Sequence, residues 1–216
     1  MKRILCASLL LAATCTHAQD PDGQITGRVT NDLGKPLGDA VIEVRGERYP
    51  TGPNGHFEVD VAVDAPVSLR VSADGHYAMI HTFASSDIDV ADGAVGDIAL
   101  VEKKPGRSLL LFTGDAMLAR RYFEPPAGEP ALVRKGHELA DGKKVLAPIR
   151  PYVELADYAS VNLETQLSSG ELSDRLPKSI TFYSPAELAQ LLEWAGFDYA
   201  ALGNNHTWDY QAEGLE

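Results

Sequence analysis

Hydrophobic and polar positions follow one pattern in the first half of the chain. Between residues 24 and 101, short runs of alternating apolar and polar residues are separated by Gly, Pro, Asn and Asp. Alternation of this kind is typical of strands with one buried face, and the separating residues favour tight turns. We therefore predict an antiparallel β-sandwich of about six or seven strands. Predicted strands lie at 25–30, 40–46, 57–63, 67–72, 77–83 and 97–101.

A different pattern begins after a polar linker at residues 102–107. Leu109 to Phe112 form a continuous apolar run, which is typical of a strand buried on both faces. Alternating strands and helices then follow, and this order predicts an α/β domain. The predicted strands are 108–113, 158–163 and 197–202, and the predicted helices are 147–156 and 184–195.

The second predicted helix carries its own start and stop signals. Ser184 and Glu187 form a capping box, and Pro185 occupies the first helical position. Gly196 is the expected stop. The apolar face of this helix is formed by Leu188, Leu191, Leu192 and Ala195.

The first residues have the pattern of an export signal. Lys2 and Arg3 precede an apolar run at 4–13, and small residues at 16 and 18 suit cleavage before Gln19. We therefore predict a signal peptide at 1–18 and export to the periplasm, the cell surface or the medium. An uncleaved anchor is the first alternative, although the apolar run is short of the ~20 residues that span a bilayer. Retention as a lipoprotein through Cys15 is the second.

Composition narrows the classes of partner. The chain of 216 residues has 31 acidic and 19 basic residues, a net charge of −12, and 44% hydrophobic residues. This is the composition of a folded protein, and its acidity disfavours binding to nucleic acid or to anionic lipid. Both cysteines lie in the predicted leader, so no disulfide is expected in the mature chain, and no transmembrane span is predicted there.

Polar residues follow each predicted strand of the second domain. They are Asp115 after the first strand, Asn162 and Glu164 around the end of the second, and Asn204, Asn205, His206 and Asp209 after the third. The carboxyl ends of such strands converge on the ligand site of an α/β sheet. Oxygen donors with an imidazole suit Mn²⁺, Fe²⁺ or Zn²⁺, and carboxylates can bridge two ions. Taken singly, Asp115 also fits a turn, Glu164 a surface position and Asp209 a helix cap.

The first domain resembles a known family of accessory domains. Residues 27–44 and 51–57 are similar to the carboxypeptidase regulatory-like, or transthyretin-like, Ig-type domain. The resemblance covers most of residues 24–101. It implies a small sandwich without catalytic residues.

The second domain resembles the bacterial capsule-synthesis CapA family. Its successive motifs are matched in order by residues 114–120, 162–167, 195–198 and 202–210. Members are associated with poly-γ-glutamate capsules and share the calcineurin-like metallophosphoesterase fold. The expected fold class is therefore an all-β Ig-like sandwich followed by an incomplete α/β domain, of the αββα metallophosphoesterase type, at residues 108–216.

This resemblance also implies roles for the strand-end residues. Two divalent ions would polarise a phosphoryl oxygen and generate hydroxide, while an imidazole protonates the leaving oxygen. The implied metal ligands are Asp115, Glu164 and Asn205. His206 is implied to be the catalytic acid/base or a phosphate-contacting group, with Asn204 and Asp209 as supporting catalytic residues. Arg120 is implied to meet an anionic substrate.

The sequence departs from the family pattern in two places. The opening Asp-x-His motif of ordinary calcineurin-like phosphoesterases is absent, because Ala116 and Met117 follow Asp115. The later histidine ligands of the family would lie beyond Glu216, and His137 is expected in a polar loop. We therefore expect the N-terminal portion of a longer protein, with weak metal binding and no efficient turnover by this chain alone.

Two classes of function follow. The first is an exported metal-dependent phosphoesterase-like hydrolase in capsule or surface-polymer production. Its substrate would be an anionic polymer or a phosphoester, and membrane proteins of capsule synthesis would be its partners. The alternative is a non-catalytic surface module, in which the Ig-like domain mediates attachment and the α/β part is a degenerate scaffold.

Overall fold

A computed structural model describes residues 23–62, 65–90 and 93–215. Over these ranges the chain is mostly β, with twelve strands in four sheets and four short helices. None of the helices in these ranges is long and apolar enough to cross a membrane. The predicted leader at 1–18, including Cys15, lies outside the described residues.

Two sheets enclose the core of the first region. One has the strand order β4-β1-β7 and the other the order β3-β2-β5-β6. The alternating pattern places Ile25, Ile42, Phe57 and Leu69 inside, each at most 1% exposed. The elements are β1 (Gln24–Asn31), β2 (Val41–Val44), β3 (Glu47–Pro50), β4 (His56–Asp60), β5 (Val67–Ser72), β6 (Met79–Phe83), α1 (Ser85–Val90) and β7 (Ala94–Leu100).

The predicted purely antiparallel arrangement is wrong at one strand pair. Strand β7 runs parallel to β1, while the other pairs described in these two sheets are antiparallel. A parallel neighbour needs a crossover connection, and the unpredicted helix α1 lies in that connection. Gly93 then turns the chain into β7 with a φ of +80°, and a Cβ there would lie 2.2 Å from the carbonyl oxygen of Gln24. The close approach therefore requires glycine.

The second region contains a three-stranded parallel sheet and a separate parallel pair. The sheet has the order β12-β9-β8, and β10 pairs with β11. A short 3-10 turn at Arg120–Tyr122 follows β8. The elements are β8 (Leu110–Ala116), α2 (Glu138–Leu146), α3 (Arg150–Val153), β9 (Tyr158–Leu163), β10 (Gln166–Ser168), β11 (Tyr183–Pro185), α4 (Glu187–Ala195) and β12 (Tyr199–Ala201).

Helix α4 covers one face of this sheet. Its predicted apolar face is confirmed, because all four of the residues named for it are buried. The predicted stop is also confirmed, since Gly196 adopts a left-handed φ of 97° after the last turn. Helix α2 packs closely on α4, and a Cβ at Gly142 would lie only 2.3 Å from Cδ1 of Leu191. These helices fix the sheet whose strand ends carry the candidate site.

Strand β8 differs from the prediction of a strand buried on both faces. Leu110 is 53% exposed and Phe112 is 73% exposed. Within the described residues β8 is an edge strand. The apolar run is therefore buried only in part.

The predicted helix at 147–156 is also wrong. The longer helix is α2, and only the four residues of α3 are helical within the predicted range. Pro148 and Pro151 explain the break, because neither has a backbone N–H to donate to the preceding turn. His137 lies in the loop before α2, as expected, and occupies the N-cap position of that helix.

The capping box at residues 184–187 does not form. Ser184 and Pro185 belong to β11, and Ala186 occupies the N-cap position of α4 without a side-chain hydrogen bond. The Ser184 hydroxyl instead donates to Oγ1 of Thr165 at 3.1 Å and accepts from the Leu118 amide at 2.9 Å. The Ser184 hydroxyl thus forms hydrogen bonds with residues distant in sequence and does not cap the helix.

Candidate functional site

The parallel sheet brings three strand ends to one edge. Asp115 on β8 lies opposite Asn162 on β9 in the strand register. The Asn162 side chain donates from Nδ2 to Oδ1 of Asp115 at 2.6 Å. The first two predicted strand-end residues therefore meet directly.

Asn204 connects the third strand end to the same network. Its Nδ2 donates to Oδ1 of Asn162 at 3.0 Å and to the carbonyl oxygen of Leu163 at 2.9 Å. Its Oδ1 accepts the backbone N–H of His206 at 2.9 Å. One amide side chain thus joins the second strand to the turn that carries the histidine.

His206 is oriented by a buried aspartate. The imidazole Nδ1 lies 2.7 Å from Oδ2 of Asp209, which is fully buried, and His206 itself is 7% exposed. Burial alone raises the pKa of Asp209, but hydrogen bonds from Lys178, His206 and the Phe182 amide outweigh it and lower the pKa below its usual range. Asp209 is therefore a carboxylate, so Nδ1 of His206 donates. In the neutral imidazole, Nε2 then carries the lone pair.

Glu164 faces that second ring nitrogen. Its Oε1 lies 3.8 Å from Nε2 of His206, beyond hydrogen-bond distance. The Glu164 side chain is 20% exposed. A carboxylate and an imidazole nitrogen therefore point toward the same small gap.

The segment between β10 and β11, which the sequence does not mark as functional, contacts both Asp209 and His206. Lys178 forms an ion pair with Oδ1 of Asp209 and donates to the carbonyl oxygen of Asn205 at 2.9 Å. The Phe182 amide donates to Oδ2 of Asp209 at 2.6 Å, and the Phe182 ring packs against His206 at a tilt of 37°, with centroids 4.3 Å apart. The residues between β10 and β11 have no strong periodic pattern, so no sequence signal placed them here.

Arg120 reaches the same aromatic ring. Its guanidinium carbon lies 5.8 Å from the centroid of Phe182. Arg120 is exposed and has a φ of 51°, a left-handed conformation that is uncommon for a residue with a side chain. A cation is thus held over the ring that covers His206.

The predicted residues are not all placed alike. Asp115, Asn204, His206 and Asp209 lie in one chain of hydrogen bonds with Asn162, and Glu164 faces His206. Asn205 is exposed, and the hydrogen bond described for it uses its backbone carbonyl. Its role as a metal ligand stays a prediction.

The donor set fits a divalent cation in kind. Carboxylate oxygens with an imidazole nitrogen suit Mn²⁺, Fe²⁺ or Zn²⁺, and the gap between Glu164 and His206 is lined by one donor of each type. Over residues 23–62, 65–90 and 93–215, however, no three His, Cys, Asp or Glu side chains are arranged to hold a metal ion. A metal site at this edge of the sheet therefore stays a prediction.

Comparison with known proteins gives a family match to the second region of the chain. The family described as bacterial capsule synthesis protein PGA_cap matches residues 109–216. The search of curated proteins found no match. Among solved structures, a type II cohesin–X-dockerin complex from Acetivibrio cellulolyticus is similar at 18% identity and a TM-score of 0.28. That match covers 36% of this chain and 56% of the other, and it is too weak to bear on the fold.

The family match spans all three strand ends that carry the site. It confirms the resemblance to the capsule-synthesis family inferred from the motifs. The matched segment is half of the 216 residues. The chain therefore belongs to the bacterial capsule synthesis family PGA_cap.

Proposed function

We propose that the strand-end cluster is part of a metal-dependent, phosphoesterase-like hydrolase site used in capsule or surface-polymer production. Membership in the capsule synthesis family supports the biological role. The observation that carries the chemistry is the orientation of His206, whose Nδ1 is held by buried Asp209 while Nε2 faces Glu164. The substrate class is an anionic surface polymer or a phosphoester.

The His206–Asp209 pair is suited to proton transfer. A carboxylate that accepts from Nδ1 fixes the ring orientation and stabilises the imidazolium when Nε2 takes a proton. The Phe182 ring against His206 shields the imidazole from water. His206 would thus give its Nε2 proton to the leaving oxygen of the substrate.

The carboxylates would hold the cation. Glu164 and Asp115 supply oxygen ligands, and Asn205 is the third ligand that the family resemblance implies. When bound, Mn²⁺, Fe²⁺ or Zn²⁺ would polarise the phosphoryl oxygen and lower the pKa of a bound water. Arg120, held over Phe182, would face the negative charge of the substrate.

We also propose that the chain is divided into two domains. Residues 24–101, with their own hydrophobic core, would be an Ig-like accessory sandwich, and residues 108–216 the N-terminal part of the αββα fold. The predicted leader would direct the protein out of the cytoplasm. Membrane proteins of capsule synthesis would be its partners there.

Replacement of the site residues in the cell tests this function. In the bacterium that carries the gene, we expect His206→Ala and Glu164→Ala to abolish capsule, because the proton donor or a metal ligand is removed. His137→Ala is the matched control, since His137 is exposed at the start of α2. All variants must be present in equal amounts. Normal capsule with His206→Ala would contradict the catalytic proposal.

A non-catalytic attachment module is the second candidate. It is favoured by the lack of three clustered metal-binding side chains in the described part of the chain. In that case capsule would survive His206→Ala but fail when residues 24–101 are deleted. The two proposals therefore predict opposite results for the same histidine variant.

A further inference from the structure

Lys178 lies where two supports of the candidate histidine meet. Its ammonium group forms an ion pair with Oδ1 of Asp209 and donates to the carbonyl oxygen of Asn205 at 2.9 Å. The Lys178 side chain is 32% exposed, whereas that of Asp209 is fully buried. One cation therefore contacts both the carboxylate that orients His206 and the residue before His206.

The first contact determines how the Asp209 carboxylate is turned. Its Oδ2 accepts from Nδ1 of His206 at 2.7 Å and from the Phe182 amide at 2.6 Å, while Oδ1 faces Lys178. A buried carboxylate without a countercharge is costly, so loss of the ammonium favours rearrangement of Asp209. Rotation of the carboxylate would disturb both bonds made by Oδ2.

The second contact fixes the turn that carries the imidazole. Asn204 holds one side of this turn through its bonds to β9, and Lys178 holds the Asn205 carbonyl. The segment of Lys178 is itself attached to the turn, because the Leu176 amide donates to the carbonyl oxygen of Asp209 at 2.9 Å. This backbone hydrogen bond holds the segment of Lys178 beside the turn, so that the ammonium group can reach both contacts.

We propose that Lys178 is a positioning residue for His206. Through Asp209 and the Asn205 carbonyl, it keeps the imidazole Nδ1–H on the carboxylate and Nε2 toward Glu164. It acts through other residues and has no contact with substrate in this role. Its importance for catalysis rests on the proposed function, but the geometric claim can be measured without metal or substrate.

The test uses three variants of this chain. Lys178→Met removes the ammonium and keeps a long apolar side chain, and Lys178→Arg restores a cation. Lys144→Met is the matched control, because Lys144 also pairs with a buried aspartate, Asp141, at 2.8 Å. Asp141 has its own second partner in Arg134 and does not contact His206 through the hydrogen bonds described for it.

The measurement is the NMR resonance of the His206 Nδ1–H proton in metal-free, histidine-labelled protein. A hydrogen bond to Asp209 protects this proton from exchange with water. We expect the resonance in the unaltered chain, its loss in Lys178→Met, and its presence in Lys178→Arg and Lys144→Met. If these lysines served only stability, Lys178→Met and Lys144→Met would both lower the free energy of unfolding, and the His206 resonance would not be lost selectively in Lys178→Met.

Several results would overturn the proposal. They are the absence of the resonance in the unaltered chain, its survival in Lys178→Met, and its loss in Lys144→Met as well. If Lys178→Met gives no folded amide spectrum, Lys178→Gln replaces it, with the same criteria. Failure of metal binding would contradict the proposed function and leave the role of Lys178 standing, so the two failures are distinguishable.

Discussion

Replacement of Asp209 by Asn changes the charge of the most buried group in the site while keeping its shape. The carboxylate accepts two N–H groups at Oδ2, from His206 at 2.7 Å and Phe182 at 2.6 Å, and faces Lys178 at Oδ1. An amide offers one oxygen and one NH₂ group. With its oxygen toward His206, the Asn side chain keeps both acceptor roles and turns two donor hydrogens toward the Lys178 ammonium.

The expected cost follows from these contacts. Each of the two retained hydrogen bonds loses its charge assistance, which is worth about 1 kcal/mol per bond. The lost ion pair contributes about 1 kcal/mol, a discounted value because Lys178 is one-third exposed. We therefore expect Asp209→Asn to lower the free energy of unfolding by about 3 kcal/mol.

Urea unfolding of the two proteins measures this difference. Glu129→Gln is the control, because Glu129 is exposed in the same region and should change stability by less than about 0.5 kcal/mol. A loss below about 1 kcal/mol for Asp209→Asn would refute the reasoning, since the buried contacts would then contribute little.

The pH dependence gives a second check on the same variant. The pKa of folded Asp209 is lowered, so its stabilising effect is present above the unfolded value of about 3.9 and is lost as pH falls through the folded pKa. The stability gap between the unaltered chain and Asp209→Asn should therefore narrow in acid. A gap that stays constant to low pH would contradict this assignment of charge.

Three further predictions concern the fold. Gly55→Ala should lower the free energy of unfolding by at least about 2 kcal/mol, because its φ is +78° and a Cβ would lie 2.3 Å from a backbone oxygen. Gly34→Ala has the same φ but open space around the Cβ, so it should lose only about 1 kcal/mol, and equal losses in chemical unfolding would contradict this. Gly142→Ala should lose about 1–2 kcal/mol through overlap with Leu191, and far less in a Leu191→Ala background; a double-mutant cycle without coupling would refute the contact. Hydrogen bonds from Arg134 and, to a lesser extent, Lys144 hold the pKa of Asp141 well below its usual range. Asp141→Asn should therefore lower the free energy of unfolding at neutral pH, and that free energy should fall less steeply in acid than in the unaltered chain; parallel curves of stability against pH would contradict this.

Elements with strong local signals could be predicted from the sequence. Helix α4 has apolar residues at helical spacing and a glycine at its end, and both features hold in the structure. Strand β9 has the predicted bounds, Tyr158–Leu163, and alternate residues are buried. In these segments the local pattern and the tertiary contacts favour the same structure.

Other elements depend on contacts that the local pattern does not show. Helix α2 buries Asp141 and Gly142, a polar residue and a helix breaker, so no apolar stripe marked it. The predicted strand at 40–46 extends into a tight hairpin turn, because Arg45 and Gly46 both have positive φ, and the following strand β3 is not predicted. In both cases the tertiary context overrides the signal in the sequence.

The candidate site also contains residues that could be predicted from the sequence and one that could not. The rule that parallel strands end at one edge predicted the meeting of Asp115 with Asn204 and His206, and their hydrogen bonds through Asn162 agree with it. Lys178 could not be predicted, because its position depends on the path of the connection between β10 and β11. Contacts made by such connections carry no periodic signal.

Metal binding tests the central claim most directly. We would titrate Mn²⁺ into the chain by calorimetry and compare Glu164→Ala, with Glu129→Ala as an exposed carboxylate control. The account predicts saturable binding to the unaltered chain and to the control, and at least a tenfold weaker affinity, about 1.4 kcal/mol, in Glu164→Ala. No saturable binding, or equal affinity in all three proteins, would contradict the proposal that this strand-end cluster forms part of a metal site.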